Sequence, residues 1–252
     1  MSKFLLNFCY DGTDFCGWQR QKSDKNSQDN TKPSIQYVME NCLKRIFKTE
    51  IKLTASGRTD SGVHALNQYA HFTAQTRMKS ENIIKALNSL LPNSIHIKDC
   101  KVVDSDFHAR FSAIHRTYLY KINKNFNPFE RNYTAFFPTP KIKSEKIRSA
   151  LHYLIGTYDF KVFANDTSHL NNCLCTIISV KWEETEDKFF LYITANRFLH
   201  NMVRRIVGTV IKISHYDLPD SYLQKILKKQ DYKMLGATAP SQGLYLYDVK
   251  YK

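Results

Sequence analysis

The sequence predicts an α+β protein. It reads as two related α/β halves, residues 1–105 and 106–252, forming a continuous, largely antiparallel sheet with helices on one face and a central basic cleft. Three observations carry this. Apolar residues recur at helical spacing in a few short segments, and the runs between them alternate as half-buried strands do. Few connections are long enough for parallel crossovers, so strands follow one another in pairs. The order β, α, β, β, α, β in the first half is coarsely resumed in the second, without visible sequence repetition.

Taken in order, Phe4 to Tyr10 reads as a strand and Asp11 to Gly17 as a loop with turn residues at both glycines. Trp18, Gln19, Arg20, Gln21 and Lys22 mix an indole with basic and amide groups; such a ring either stacks on a base or packs at the rim of the core. Residues 22–33 are polar without apolar period, as in an insertion. Ser34 caps a predicted helix over 35–48, with Ile35, Val38, Met39, Cys42, Leu43, Ile46 and Phe47 on one side. Strand-like runs at 51–55 and 68–73 flank a loop. Ser80 caps a second helix that Pro92 stops, and 95–103 is a strand.

In the second half, 116–122 reads as a strand with Arg116, Tyr118 and Tyr120 on one face. Residues 123–140 form an aromatic connection. Ser144 caps a helix for which Gly156 is the expected C′ residue, and strands follow near 174–183 and 188–195. Residues 198–213 read as a helix buried around most of its circumference, so Arg204 on it must find an anion or reach water along its stem. A helix at 221–229 and a strand at 244–249 end the sequence.

A formal charge of +14 and a pI near 9.4 point to a polyanionic partner, and the basic residues are spread along the chain as in a folded cleft. The 15 Tyr and 16 Phe supply rings on which unpaired bases could stack, although many must be core. No signal peptide and no apolar stretch of roughly 20 residues is visible, so no membrane is expected and the cytoplasm is. The six cysteines are scattered, and Cys173-x-Cys175 lacks zinc or redox spacing, which favours free thiols. His64 and His71 lie near Asp60 in sequence without a metal-binding motif around them, so no metal is expected.

The candidate chemistry sits in Ser56-Gly57-Arg58-Thr59-Asp60-Ser61-Gly62-Val63-His64-Ala65. Two glycines let the backbone take positive φ and let a ligand or another backbone come close. Alone, this is either a structural turn whose aspartate bonds nearby amides, or a frame for a reactive carboxylate.

Read with Tyr10-Asp11-Gly12-Thr13, Gly17 to Gln21, Phe107-His108-Ala109-Arg110-Phe111-Ser112-Ala113, Arg116 to Tyr120, His200 to Gly208 and Ala239 to Leu244, the loop resembles that of the TruA family of tRNA pseudouridine synthases, nearly end to end. The polar stretch 22–33 is longer than the family's usual connection. The resemblance implies the pseudouridine synthase fold and isomerisation of uridine to pseudouridine at nucleotides 38, 39 or 40 of the tRNA anticodon stem-loop, without cofactor or metal. It also implies a homodimer whose tRNA touches both subunits.

By the same resemblance, Asp60 matches the catalytic aspartate, Arg204 the arginine that pairs with it, and Tyr118 the active-site tyrosine that lies against the uracil. Arg58 matches the residue that helps extrude the target base, and Leu244 is a wall of the uracil pocket. Trp18, Arg20, Arg110, Arg116 and Arg205 are the expected RNA contacts. A carboxylate can stabilise or capture an electrophilic sugar carbon, which is what breaking and remaking a glycosidic bond demands. Two rivals are an RNA-binding module without catalysis, disfavoured by the intact Arg58, Asp60, Tyr118 and Arg204, and a hydrolytic N-glycosidase, which would want a second carboxylate near the loop.

Overall fold

The computed structural model describes residues 1–21, 32–138, 142–165, 167, 170 and 172–252. The polar stretch read as an insertion falls on residues 22–31 for most of its length and lies outside the described residues. The chain is α+β, its strands mostly antiparallel, in two compact units: residues 1–114 with 245–252, and residues 115–244.

In the first unit, β1 (Ser2–Tyr10) lies between β3 (His64–Ala74) and β4 (Ile95–Val103), antiparallel to both. The other edge of β3 takes two partners at different heights. The short β2 (Thr54–Ala55) pairs antiparallel at Ala70 and His71, and β10 (Leu244–Tyr251) pairs parallel at His64 and Ala65. Phe4, Leu6, Phe8 and Tyr10 alternate into the core, as the period of a strand requires. On β4 the buried positions run Ile95, Ile97, then Cys100, because a register shift opposite Asn7 and Phe8 flips the side-chain parity.

Helix α1 (Ile35–Phe47) packs beside α2 (Ser80–Leu90), burying Ile35, Met39 and Leu43 with Ile83 and Leu87. The last ring of α1, Phe47, meets Phe72 of β3, which stacks on Phe4 at 5.3 Å. Ser34 caps α1 as expected, its Oγ accepting from the Tyr37 amide at 3.2 Å, a contact that stabilises a helix by about 1 kcal/mol. Ser80 is not a cap: Lys79 holds that position and Ser80 is the first helical residue.

In the second unit the strand order is β5 (Ala113–Asn123), β9 (Lys188–Ala195), β8 (Leu174–Glu184), β7 (Gly156–Asp159), with β6 (Ala135–Phe136) on the other side of β5. Arg116, Tyr118 and Tyr120 share the buried face of β5, as the alternation predicts. Helix α3 (Ser144–His152) packs on β8 and beside α4 (Met202–His215) and α5 (Tyr222–Lys229). Here too the serine enters the helix: Lys143 takes the cap position, and Ser144 Oγ accepts from Trp182 Nε1 at 3.1 Å. Gly156, expected to end α3, instead opens β7 at φ 124°, three residues after the helix has closed at Tyr153.

All six cysteines are free thiols. Among the described residues no helix is long and apolar enough to cross a membrane.

Candidate active site

Asp60 stands on a loop that its own unit holds by both backbone and side-chain hydrogen bonds. The Val63 amide donates to the Asp60 carbonyl at 3.1 Å, closing a four-residue turn, and Gly62 holds φ 74° at its third position, where glycine alone is unstrained. The flanking Thr59 is fixed twice. Its carbonyl accepts from the Trp18 amide at 3.0 Å, and its hydroxyl lies 2.6 Å from the buried Tyr10 hydroxyl. Burial pushes the Tyr10 phenol up to about 12, so it stays protonated at any physiological pH and keeps that bond.

On the other flank, the fully buried Gln68 accepts from Ser56 Oγ at 2.7 Å and donates to the Gly57 carbonyl at 3.0 Å. Arg58 is exposed at the crest while Asp60 is half-buried. Tyr10, Thr59 and Gln68 thus position the turn. The sequence signalled them only as members of the motifs around it.

A second loop, residues 11–18, clasps this turn so closely that side chains are excluded. A Cβ on Gly12 would lie 2.0 Å from the Val63 carbonyl oxygen, and one on Gly17, itself at φ 103°, 2.8 Å from that of Thr59. The Gly12 amide points to Nδ1 of the buried His64 at 3.1 Å, and His64 stacks on Tyr245 at 4.7 Å. Gly12→Ala is therefore expected to force two backbones apart and destabilise the protein by about 1–3 kcal/mol. A urea midpoint equal to wild type would show that the clasp yields without cost.

The second unit presents Tyr118, Arg204 and Leu244. Tyr118 is 8% exposed, its ring set edge-on to Phe198 at 4.9 Å, which fixes its plane. Arg204 enters at the start of α4, which begins at Met202 rather than near 198 because Asn201 turns left-handed at φ 61°. That turn gives Arg204 a partner: its Nη1 donates to Asn201 Oδ1 at 2.9 Å, and its Nε to the Ala239 carbonyl at 2.7 Å. The Ala239 amide returns a bond to the Arg204 carbonyl at 3.1 Å. The segment 236–243 crosses α4 in contact, since a Cβ on Gly208 would stand 1.7 Å from the Ala237 oxygen. Tyr120 donates to the Pro240 carbonyl at 2.7 Å, and burial raises its phenol despite the Arg204 charge nearby. Leu244, buried, ends this segment.

The expected RNA contacts divide. Trp18 is 2% exposed and packs on Phe8 at 5.8 Å, so its indole is core and its assignment to RNA is corrected. Arg20 is half-exposed over the Tyr37 ring, its Nη1 3.2 Å from Glu40. Arg110 is exposed. Arg116 is buried and donates to the Asn196 carbonyl at 3.0 Å. Arg205 donates to the carbonyls of Val162 and Ala164 and to the Asn165 side chain, which ties residues 162–165 to α4. Among the described residues no group of three or more His, Cys, Asp or Glu is placed to hold a metal ion.

The family described as tRNA pseudouridine synthase matches residues 8–112 and 150–252. A tRNA pseudouridine synthase A of Limosilactobacillus reuteri (strain DSM 20016) is 39% identical over 258 residues, covering 100% of this chain and 97% of that protein. The protein of the same name from Caldicellulosiruptor saccharolyticus is 38% identical over 253 residues, with both chains covered completely. One from an Exiguobacterium strain is 36% identical over 252 residues, covering 100% of this chain and 99% of the other. Similar to these relatives along its whole length, the chain belongs to the TruA family of tRNA pseudouridine synthases.

Proposed function

We propose that this chain isomerises uridine to pseudouridine at one or more of nucleotides 38, 39 and 40 in the anticodon stem-loop of tRNA, with Asp60, Tyr118 and Arg204 acting on one flipped uridine. The observation that carries the reading is the way Asp60 is held. A turn locked by Tyr10, Gln68 and a glycine clasp presents a half-buried carboxylate beside an exposed arginine. A turn needed only for packing would not require that presentation.

The reaction is balanced without a co-reactant. The N1–C1′ bond breaks, a C5–C1′ bond forms, and a proton passes from C5 to N1. Attack of Asp60 on C1′, its addition to the uracil ring, and a glycal route each use this carboxylate. In a site closed to water, an ionised Asp60 needs a cation, the role proposed for Arg204. Asn201 and Ala239 hold that guanidinium ready. Tyr118, its plane set by Phe198, lies against the uracil and takes the C5 proton. Base flipping costs a few kcal/mol, which Arg58 offsets by filling the vacated place, and Leu244 walls the pocket.

The continuous sheet, the basic cleft between the halves, a homodimer whose tRNA touches both copies, and a cytoplasmic location belong to the same proposal. They are supported by the family resemblance and by the +14 charge, which suits a polyanion. Arg20 and Arg110 remain the candidate phosphate contacts, while Arg116 and Arg205 shape the surface beneath.

The test is to incubate the purified protein with unmodified tRNA carrying uridines at 38, 39 and 40 and map modified nucleotides by mass spectrometry. Pseudouridine at one or more of these positions and not elsewhere is expected. Its absence, or uracil release, would overturn the assignment.

A further inference from the structure

The segment 105–112 lies on the face of the first unit's sheet opposite α1 and α2. On β1 and β3 the even-numbered residues Phe4, Phe8 and Phe72 point to the helices, whereas the odd-numbered Lys3 and His71 hold this segment. Lys3 Nζ donates to the Phe107 carbonyl at 2.9 Å. The Ala109 amide donates to His71 Nδ1 at 3.1 Å, and its carbonyl accepts from the Tyr251 hydroxyl at 2.7 Å. His108 closes the tip: its amide donates to Ser112 Oγ at 3.0 Å, and its Nδ1 accepts from the amides of Arg110 and Phe111 at 3.2 and 3.3 Å. Burial, with the His108 and Lys3 charges beside it, lowers His71 to about 4, so at neutral pH its Nδ1 remains an acceptor.

Within this over-determined loop, Phe111 is 76% exposed. One side of its ring meets the His108 ring, centroids 4.4 Å apart, and the Arg110 guanidinium carbon lies 5.5 Å from its centroid. A phenylalanine that merely strayed to the surface would not sit in a segment hydrogen-bonded at Phe107, His108, Ala109, Arg110 and Ser112. A rigid exposed ring with a cation beside it is what stacking on an unpaired base and neutralising its phosphate requires.

We propose that Phe111, backed by His108 and flanked by Arg110, is a stacking platform for an unpaired nucleobase of the RNA substrate. The platform rests on the reading of the chain as an RNA-modifying enzyme, and it is distinct from the reactive turn. His71, which anchors it, lies seven residues along β3 from His64 at the base of that turn, about 23 Å away at strand rise. The platform therefore grips RNA at a distance from the flipped uridine.

The experiment measures the Kd of the full chain for unmodified tRNA at fixed salt, with Phe111→Ala, Phe111→Trp and, as control, Phe129→Ala, which removes another ring that is 89% exposed. Phe111→Ala is expected to weaken binding about 5- to 150-fold, the range for a lost base–aromatic stack. Phe111→Trp and Phe129→Ala should stay within about twofold of wild type, because any aromatic face can stack and the second ring lies elsewhere. Wild-type affinity in Phe111→Ala, or equal weakening by Phe111→Trp, overturns the platform. So does a change in sedimentation with tRNA affinity intact, which would assign the ring to a protein interface. Binding is read without catalysis, so an inactive wild type that still binds through Phe111 would defeat the proposed isomerisation and leave the platform standing.

Discussion

Asp60→Asn is expected to reduce pseudouridine formation by at least about a thousandfold while tRNA Kd stays within about tenfold of wild type. The amide keeps the volume of the carboxylate and removes only its charge and nucleophilicity. The bonds from Val63 to the Asp60 carbonyl, from Trp18 to Thr59 and from Tyr10 to Thr59 are all available to the variant, so the loop is expected to keep its shape. Single-turnover measurement on saturating tRNA isolates the chemical step, and a variant with wild-type turnover would remove Asp60 from the mechanism. Asp60→Glu makes the test finer. It restores the charge but moves it by one methylene, and a misplacement of about 1 Å can cost about a hundredfold in rate. A glutamate as slow as asparagine would show that placement, which Tyr10, Gln68 and the glycine clasp supply, matters as much as charge.

How far the site could be read from sequence depends on what each residue touches. The turn around Asp60 was legible as a turn because its signals are local: two glycines, an aspartate and an arginine within ten residues, bounded by strand-like runs; the role proposed for its aspartate came only with the family resemblance. The alternation on β5 was legible for the same reason, and Arg116, Tyr118 and Tyr120 do share one face. What escaped was set by partners distant in sequence. Nothing in Trp18 says that Phe8 will cover it, and an indole among Gln19, Arg20 and Gln21 looks wet until the ring beneath is known. Nothing in Leu244 to Val249 says that the strand will run parallel to β3, about 180 residues upstream, and place Tyr245 on His64. Ser80 and Ser144 carry the chemistry of helix caps, yet in both cases the lysine before them takes the position. At α4 the helical period extends back to Phe198, but the left-handed Asn201 interrupts it. A periodicity cannot report such a turn, and it is the turn that gives Arg204 its partner.

Arg204→Ala separates the structural role of this arginine from the one proposed for it in the reaction. Through Nε and Nη1 the guanidinium pins Ala239 and Asn201, so truncation leaves the Ala239 carbonyl without that donor and should destabilise the protein by about 1–3 kcal/mol in urea unfolding. If Arg204 also offsets the charge of Asp60, the same variant loses about a hundredfold or more in single-turnover rate, the scale seen when one preorganised donor is removed from a reacting centre. Assayed at a temperature where the variant is fully folded, a purely structural arginine would leave the rate near wild type. Arg204→Lys sharpens the division. Lysine keeps the positive charge as a point on a flexible stem and lacks the planar fork that reaches a carbonyl and an amide together. It should therefore recover part of the rate while recovering little of the stability. The opposite pattern, stability restored and rate still lost, would mean that what the reaction needs from this position is the fork itself, held against Ala239, and that the cation facing Asp60 comes from another side chain.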